Sequence, residues 1–151
     1  MINGVKIKQL KSNCDERGRL MEVFRSDWPE FRKFGQVYMT TVYPGVVKAW
    51  HYHKIQTDTF ICVHGMIKVV LCDTRPKSST KGEVNEIFMG VHNLILLQIP
   101  PDVYHGFKCI STEEAMVLNV PTEIYNNKKP DEYRLPAHSK KIPYNWERID
   151  G

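Results

Sequence analysis

The chain has 151 residues, 42% of them hydrophobic and 25% charged, with a formal net charge of +4; this balance suits one globular domain spanning residues 1–151 around a single core. No apolar run approaches the ~20 residues of a membrane-spanning helix, and the opening MINGVKIKQLKSN lacks the apolar core and cleavage site of a secretory signal, so a cytoplasmic protein is expected, with no membrane partner. The basic residues are scattered rather than gathered into a stripe with aromatics, which argues against nucleic acid, while the mild positive excess favours an anionic ligand.

Residues 4–10, GVKIKQL, alternate as a half-buried strand does, KSNCDERG reads as a turn, and RLMEVFR reads as a second strand. Arg17 on that turn, shortly before Glu22, could offer a carboxylate or phosphate two parallel hydrogen bonds; a solvated turn is the plainer reading. Ser26–Phe34, SDWPEFRKF, starts with a cap and an early proline, so one short helix is expected there. From Gln36 onward QVYMTTVYP, VVKAWHYH, TFICV, MIKVVLCDT, EVNEIFM, LILLQIP, HGFKCI and EAMVLNV form short strands divided by turn residues, the pattern of an antiparallel sandwich or small barrel. RPKSSTKGE is the most exposed loop. Cys14, Cys62, Cys72 and Cys109 have no CxxC spacing, and three lie in apolar runs where free thiols serve as small buried hydrophobes.

The densest chemistry lies in GVVKAWHYHKIQTDTFICVHG, residues 45–65. His51 and His53, two apart on a strand, project from one face. If the next strand is a neighbour, Asp58 sits at the mouth of that face, and His64-Gly65 makes a tight hairpin turn. Three readings stay open: structural histidines, a metal site for zinc, iron or nickel, or proton chemistry with His51 as general base. In IPPDVYHGF, residues 99–107, His105 is expected at the start of a strand, where the sheet meets solvent. Tyr125 follows another strand as a packing or rim residue, or as an acid. The tail from Lys128, with Tyr133, Tyr144 and Trp146, is expected to fold back over the domain or onto a partner subunit.

DERGRLMEVF at 15–24, GVVKAWHYH at 45–53, IPPDVYHGF at 99–107 and the T-x-x-Y-N segment at 122–126 follow one another at spacings that resemble the dTDP-4-dehydrorhamnose 3,5-epimerase family. The likeness is greater to a shorter, epimerase-like branch associated with surface polysaccharide, including lipopolysaccharide. It implies an all-β cupin fold, a double-stranded β-helix or jelly-roll barrel, and a homodimer that epimerises a nucleotide-linked 4-keto-6-deoxyhexose without a cofactor. It also implies His51 as base, Tyr125 as opposing acid, Lys48 as the cation beside the enolate, Arg17 as diphosphate anchor, and Glu22, Gln36 and His105 as substrate-binding residues, with Arg17 and Glu22 acting across the dimer interface.

Simple alternation would turn Lys48 and His51 to opposite faces, so that role requires a bulge between them. The longer family members carry beyond this C-terminus an aspartate that orients the base, whereas this chain stops at ERIDG; Asp58 is a candidate to replace it. Asp58 and His53 also depart from the family's lysine and glutamine. Those two changes, with Gly45, His51, Gly65 and His105, resemble the metal-binding cupin pattern, so a metal-dependent enzyme using His51, His53, Asp58 and His105 is the first alternative. A sugar-nucleotide binding protein without catalysis is the second.

Overall fold

A computed structural model of the chain describes residues 1–149. The strands are β1 (Lys6–Gln9), β2 (Ser12–Asp15), β3 (Gly18–Met21), β4 (Tyr38–Val42), β5 (Val47–Tyr52), β6 (Asp58–His64), β7 (Met66–Asp73), β8 (Val84–Gly90), β9 (Ile95–Ile99), β10 (Val103–Cys109), β11 (Ala115–Asn119) and β12 (Tyr133–Arg134). They build two five-stranded sheets, β1-β9-β6-β11-β4 and β12-β5-β10-β7-β8, plus the separate hairpin β2-β3. The two sheets face each other as the expected all-β jelly-roll barrel.

Period-two alternation explains the layers. Phe60 and Cys62 on β6 and Val69 and Leu71 on β7 point into the inter-sheet core, where they join Met89, Leu97 and Val117. The residues that alternate with them are buried as well, because both outer faces are covered. Ile61 and Leu96 lie under Val23, Phe24 and Trp28, while Trp50 and Val70 lie under Ile142 and Trp146 of the tail, which folds back over its own domain. Trp50 and Trp146 are 1% and 2% exposed, and both indole N–H groups donate to the Ala137 carbonyl at 3.1 Å. Truncating either to alanine is expected to cost about 3–5 kcal/mol.

Three local expectations change. Ser26–Phe34 forms turns, closed by Trp28 N–H to Arg25 O and Phe31 N–H to Trp28 O, and no helix occurs among the described residues. Trp28 and Phe24 pack on the sheet's outer face, so tertiary burial overrides the capping signal. β5 and β6 are not neighbours; they belong to opposite sheets. His64-Gly65 is therefore a corner that carries the chain from one sheet to the other, not a hairpin. Gly65 has φ +64°, and a Cβ there would lie 2.8 Å from Glu114 O, so only glycine makes the corner. Cys62, Cys72 and Cys109 are buried free thiols, and Cys14 is exposed. Among the described residues no helix is long and apolar enough to cross a membrane.

Candidate active site

The required bulge is present. β5 pairs with β10 through His51↔His105 and Phe107↔Lys48, so three steps along β5 match two along β10, and the register shifts between them. That extra residue resets the alternation. Lys48 and His51 consequently line the same cavity of about 430 Å³, while Trp50 between them points outward into the tail. The close approach of the two strands depends on Gly106, where a Cβ would meet Ala49 and lie 3.0 Å from Lys48 O. Lys48 Nζ donates to Thr40 Oγ1 at 3.0 Å and Thr41 O at 2.6 Å, which leaves its third N–H free to face a ligand.

Behind His51 lies a compact cluster. The ligand atoms of His51, His53, Asp58 and His105 all fall within 4.8 Å of one another. Asp58 is 1% exposed, far from the mouth position expected of it, and His105 is equally buried as the third residue of β10 rather than at a wet strand start. Asp58 Oδ1 accepts from Gln56 Nε2 at 2.8 Å and Asn119 Nδ2 at 2.9 Å. Its Oδ2 lies 3.2 Å from His53 Nε2 and 3.0 Å from His105 Nε2. Asp58 thus engages His53 and His105; no hydrogen bond or ion pair joins it to His51, so the orienting role expected from the sequence passes to a different pair of rings.

Charges follow from this packing. Burial would push the Asp58 carboxyl up, but His105 and His53 hold it well below the usual carboxylate range. Burial would lower His53, yet Asp58 and the Asp131 carbonyl raise it. His51 has no such partner: burial first, then the proximity of His105, keeps it well below an ordinary imidazole despite Asp58. It is neutral at pH 7 and opens on the cavity.

A second cavity of about 850 Å³ adjoins the first, and Tyr38, Glu132 and Arg134 line both. His53, Gln36 and Tyr125 belong to this second space, and Gln36 Oε1 accepts the Tyr125 backbone N–H at 3.2 Å. Tyr125 lines the second of these adjoining spaces, where residues 123–126 run along the rim and leave it 49% exposed. Arg17 and Glu22 lie on and just after the β2-β3 hairpin, where Arg17 pairs with Asp15 at 2.6 Å and Glu22 with Arg25. Within one chain neither lines either cavity.

Four participants were not read from the sequence. Tyr38, Asn119, Gln56 and Arg134 reach the site from β4, β11, a loop and β12. Of these only Gln56, two residues before Asp58, carried a local signal. Tyr38 and Asn119 are cross-strand partners in register, and Arg134 pairs with His51.

The family described as dTDP-4-dehydrorhamnose 3,5-epimerase matches residues 1–150. A probable low-salt glycan biosynthesis epimerase of Haloferax volcanii is 44% identical over 147 residues, covering 96% of this chain and 94% of that protein. A spore coat polysaccharide biosynthesis protein of Bacillus subtilis is 40% identical, covering 97% of each. The crystal structure of a dTDP sugar isomerase from Desulfovibrio desulfuricans superposes with a TM-score of 0.93 at 33% identity, covering 99% of this chain and 94% of that one. With a match over essentially its whole length and relatives at 40% and 44% identity, the chain belongs to the dTDP-4-dehydrorhamnose 3,5-epimerase family.

Proposed function

We propose that the protein is an isomerase that epimerises a dTDP- or other nucleotide-linked 4-keto-6-deoxyhexose. One observation carries this reading: a neutral His51 and a cationic Lys48 from one bulged strand share a 430 Å³ cavity, within the size range of small-molecule sites. A 4-keto group acidifies the hydrogens on C3 and C5. His51 takes one of them, the C–H electron pair moves into a C=C bond, and the carbonyl π pair collects on the C4 oxygen. Lys48, on the exposed side of the cavity wall, faces that developing charge. Reprotonation from the opposite face inverts the centre, and the balance needs protons alone.

Arg17 and Glu22 enter through a homodimer. Among the described residues the β2-β3 hairpin pairs with no strand of its own barrel, Arg17 is paired with Asp15 of the same hairpin but 85% exposed, and Leu20 nearby is 64% exposed. Docked on a second copy, the hairpin would bring Arg17 to the diphosphate, while the space lined by Gln36, His53 and Tyr125 would take the remainder of the nucleotide sugar. The relatives' names point to surface polysaccharide as the use of the product, and a nucleotide sugar is met in the cytoplasm.

Incubation with dTDP-4-keto-6-deoxyglucose in heavy water is expected to place deuterium at C3 or C5 in a His51-dependent manner. Binding without exchange in the wild type would select the non-catalytic binding protein instead.

A second reading is favoured by one specific feature. Asp58 Oδ2 and His105 Nε2 are buried without an aligned hydrogen-bond partner among the described residues, although they are only 3.0 Å apart. Both His53 and His105 spend Nδ1 on a backbone carbonyl, so their Nε2 atoms converge on Asp58 Oδ2, an arrangement that serves imidazolium donors and equally the ligands of a bound ion. His51, His53, Asp58 and His105 would hold a zinc-, iron- or nickel-class ion, which would supply Lewis acidity. Stoichiometric metal in protein purified without added ions, lost in His53→Ala, would establish it.

A further inference from the structure

We propose that the outer face of the β12-β5-β10-β7-β8 sheet carries a second ligand site, apart from the reaction chamber, which takes a phosphate monoester with an apolar body. A cavity of about 570 Å³ opens there between the turn at Pro44 and Gly45, strands β7, β8 and β10, and residues 146–149 of the tail. It shares no lining residue with either of the two cavities around His51.

Strand register puts the charge on its floor. Lys68 of β7 stands directly opposite Lys108 of β10 and, on its other side, opposite Phe88 of β8. Like charges opposite each other on one face of a sheet repel, and an anion between them removes the conflict. Lys68 gains most from one. It is 6% exposed, and among the described residues its ammonium group has no acceptor within hydrogen-bond distance. Glu86 Oε1, the carboxylate oxygen paired with it, is 3.9 Å away and already accepts the Tyr144 hydroxyl, while the Tyr144 ring centroid is 5.2 Å away. A buried donor without an acceptor is costly, and an ionised one more so. Lys108 Nζ donates to the Trp146 carbonyl at 2.8 Å, which leaves its other hydrogens for a ligand.

The walls specify the rest of the ligand. Phe88, Ile110 and Ile149 are 47%, 40% and 83% exposed, so apolar surface faces solvent around the rim of a cationic floor. Lys68, Lys108 and Arg148 outnumber Glu86 and Glu147 in the lining. Inorganic phosphate would satisfy the ammonium groups and leave the rim wet, whereas a neutral apolar molecule would cover the rim and leave Lys68 without an acceptor. A phosphate monoester does both: near neutrality it carries about two negative charges to match two opposed ammonium groups, and its apolar body covers the rim.

Phenyl phosphate, inorganic phosphate and phenol separate head from body in calorimetric titrations of the whole chain. Phenyl phosphate is expected to bind about 10-fold or more tightly than either of the others. Lys68→Met keeps the stem and removes the charge, and should weaken phenyl phosphate about 10-fold or more with phenol unaffected. Lys108→Met, at a less buried position where folding is not at stake, should weaken it in the same direction. Phe88→Ser should weaken phenyl phosphate several-fold and leave inorganic phosphate as in wild type. Lys48→Met, in the other chamber, should bind phenyl phosphate within about twofold of wild type. Phenyl phosphate that binds no better than inorganic phosphate, that fails to bind at about 10 mM, or that binds Lys68→Met and Lys108→Met as it does the wild type would overturn the site. So would a loss of affinity in Lys48→Met, which would place the ligand in the reaction chamber. None of these readouts depends on epimerisation.

Discussion

His105 Nδ1 lies 3.0 Å from the Val103 carbonyl oxygen, while its Nε2 lies 3.0 Å from Asp58 Oδ2. A carbonyl only accepts, so Nδ1 carries a hydrogen, and Nε2 can face the carboxylate either as the second N–H of an imidazolium or as a ligand of a shared ion. Asp58 is what makes the cluster tenable. Asp58→Asn is expected to cost about 3–5 kcal/mol by urea unfolding near pH 6, because it leaves the imidazoles without their counter-charge.

The pH dependence of stability follows from the same pair. Asp58 is depressed in the folded state, so its contribution is present above the unfolded carboxyl value of about 3.9 and is lost as pH falls through the lower folded value. His53 is raised, so its contribution is complete below about 6.5 and is lost as pH rises through the folded value. Chelator-treated wild type should lose stability on both sides, and His53→Gln should lose the alkaline component alone. An unaltered alkaline limb in the variant would count against the assignment.

His51 titrates in the opposite sense from His53, being depressed. The acid limb of kcat/KM, which reports the free enzyme's base, should therefore fall below pH 6.5, with the rate flat through neutrality. His51→Asn should lower kcat about 10²–10⁴-fold with the fold retained, as judged by circular dichroism. An acid limb at or above pH 6.5 would assign the base elsewhere.

Lys48→Met keeps the stem and removes the charge. We expect kcat to drop about 10²–10³-fold with KM little changed, since the charge is called on chiefly once the enolate forms. A loss carried by KM would mean that Lys48 binds the ground state.

Arg17→Ala should raise KM, and mixing it with His51→Ala tests the dimer. If the hairpin serves a partner's cavity, scrambled heterodimers carry one intact site, and activity should recover to roughly a quarter of wild type. Absence of recovery despite subunit exchange would place Arg17 in its own chain's site.

Gly106→Ala would force β5 and β10 apart beside the bulge, since the new methyl meets Ala49. A loss of about 1–3 kcal/mol is expected, together with reduced exchange, because Lys48 and His51 would shift relative to each other.

Short strands separated by turns were legible in the chain because alternation is local, and the bulge was legible because Lys48 and His51 had to face one way at the wrong spacing. Sheet membership was not. Whether β6 lies beside β5 or across from it depends on pairings such as Phe60↔Leu97 and Val117↔Cys62, which no window around Asp58 contains. For the same reason Asp58 could be recognised as part of the site while its partners were assigned to the wrong histidine. Tyr38 and Asn119 were missed because each is an ordinary residue at a strand end until register places them opposite each other.

Trp50 stands on β5 between the base and the lysine, yet its indole is clamped on the outside of the barrel by Trp146 and Ile142. The tail therefore works as a backstop. Residues 137–146 thus brace β5 from outside the barrel, and the residue they hold, Trp50, is the immediate chain neighbour of His51.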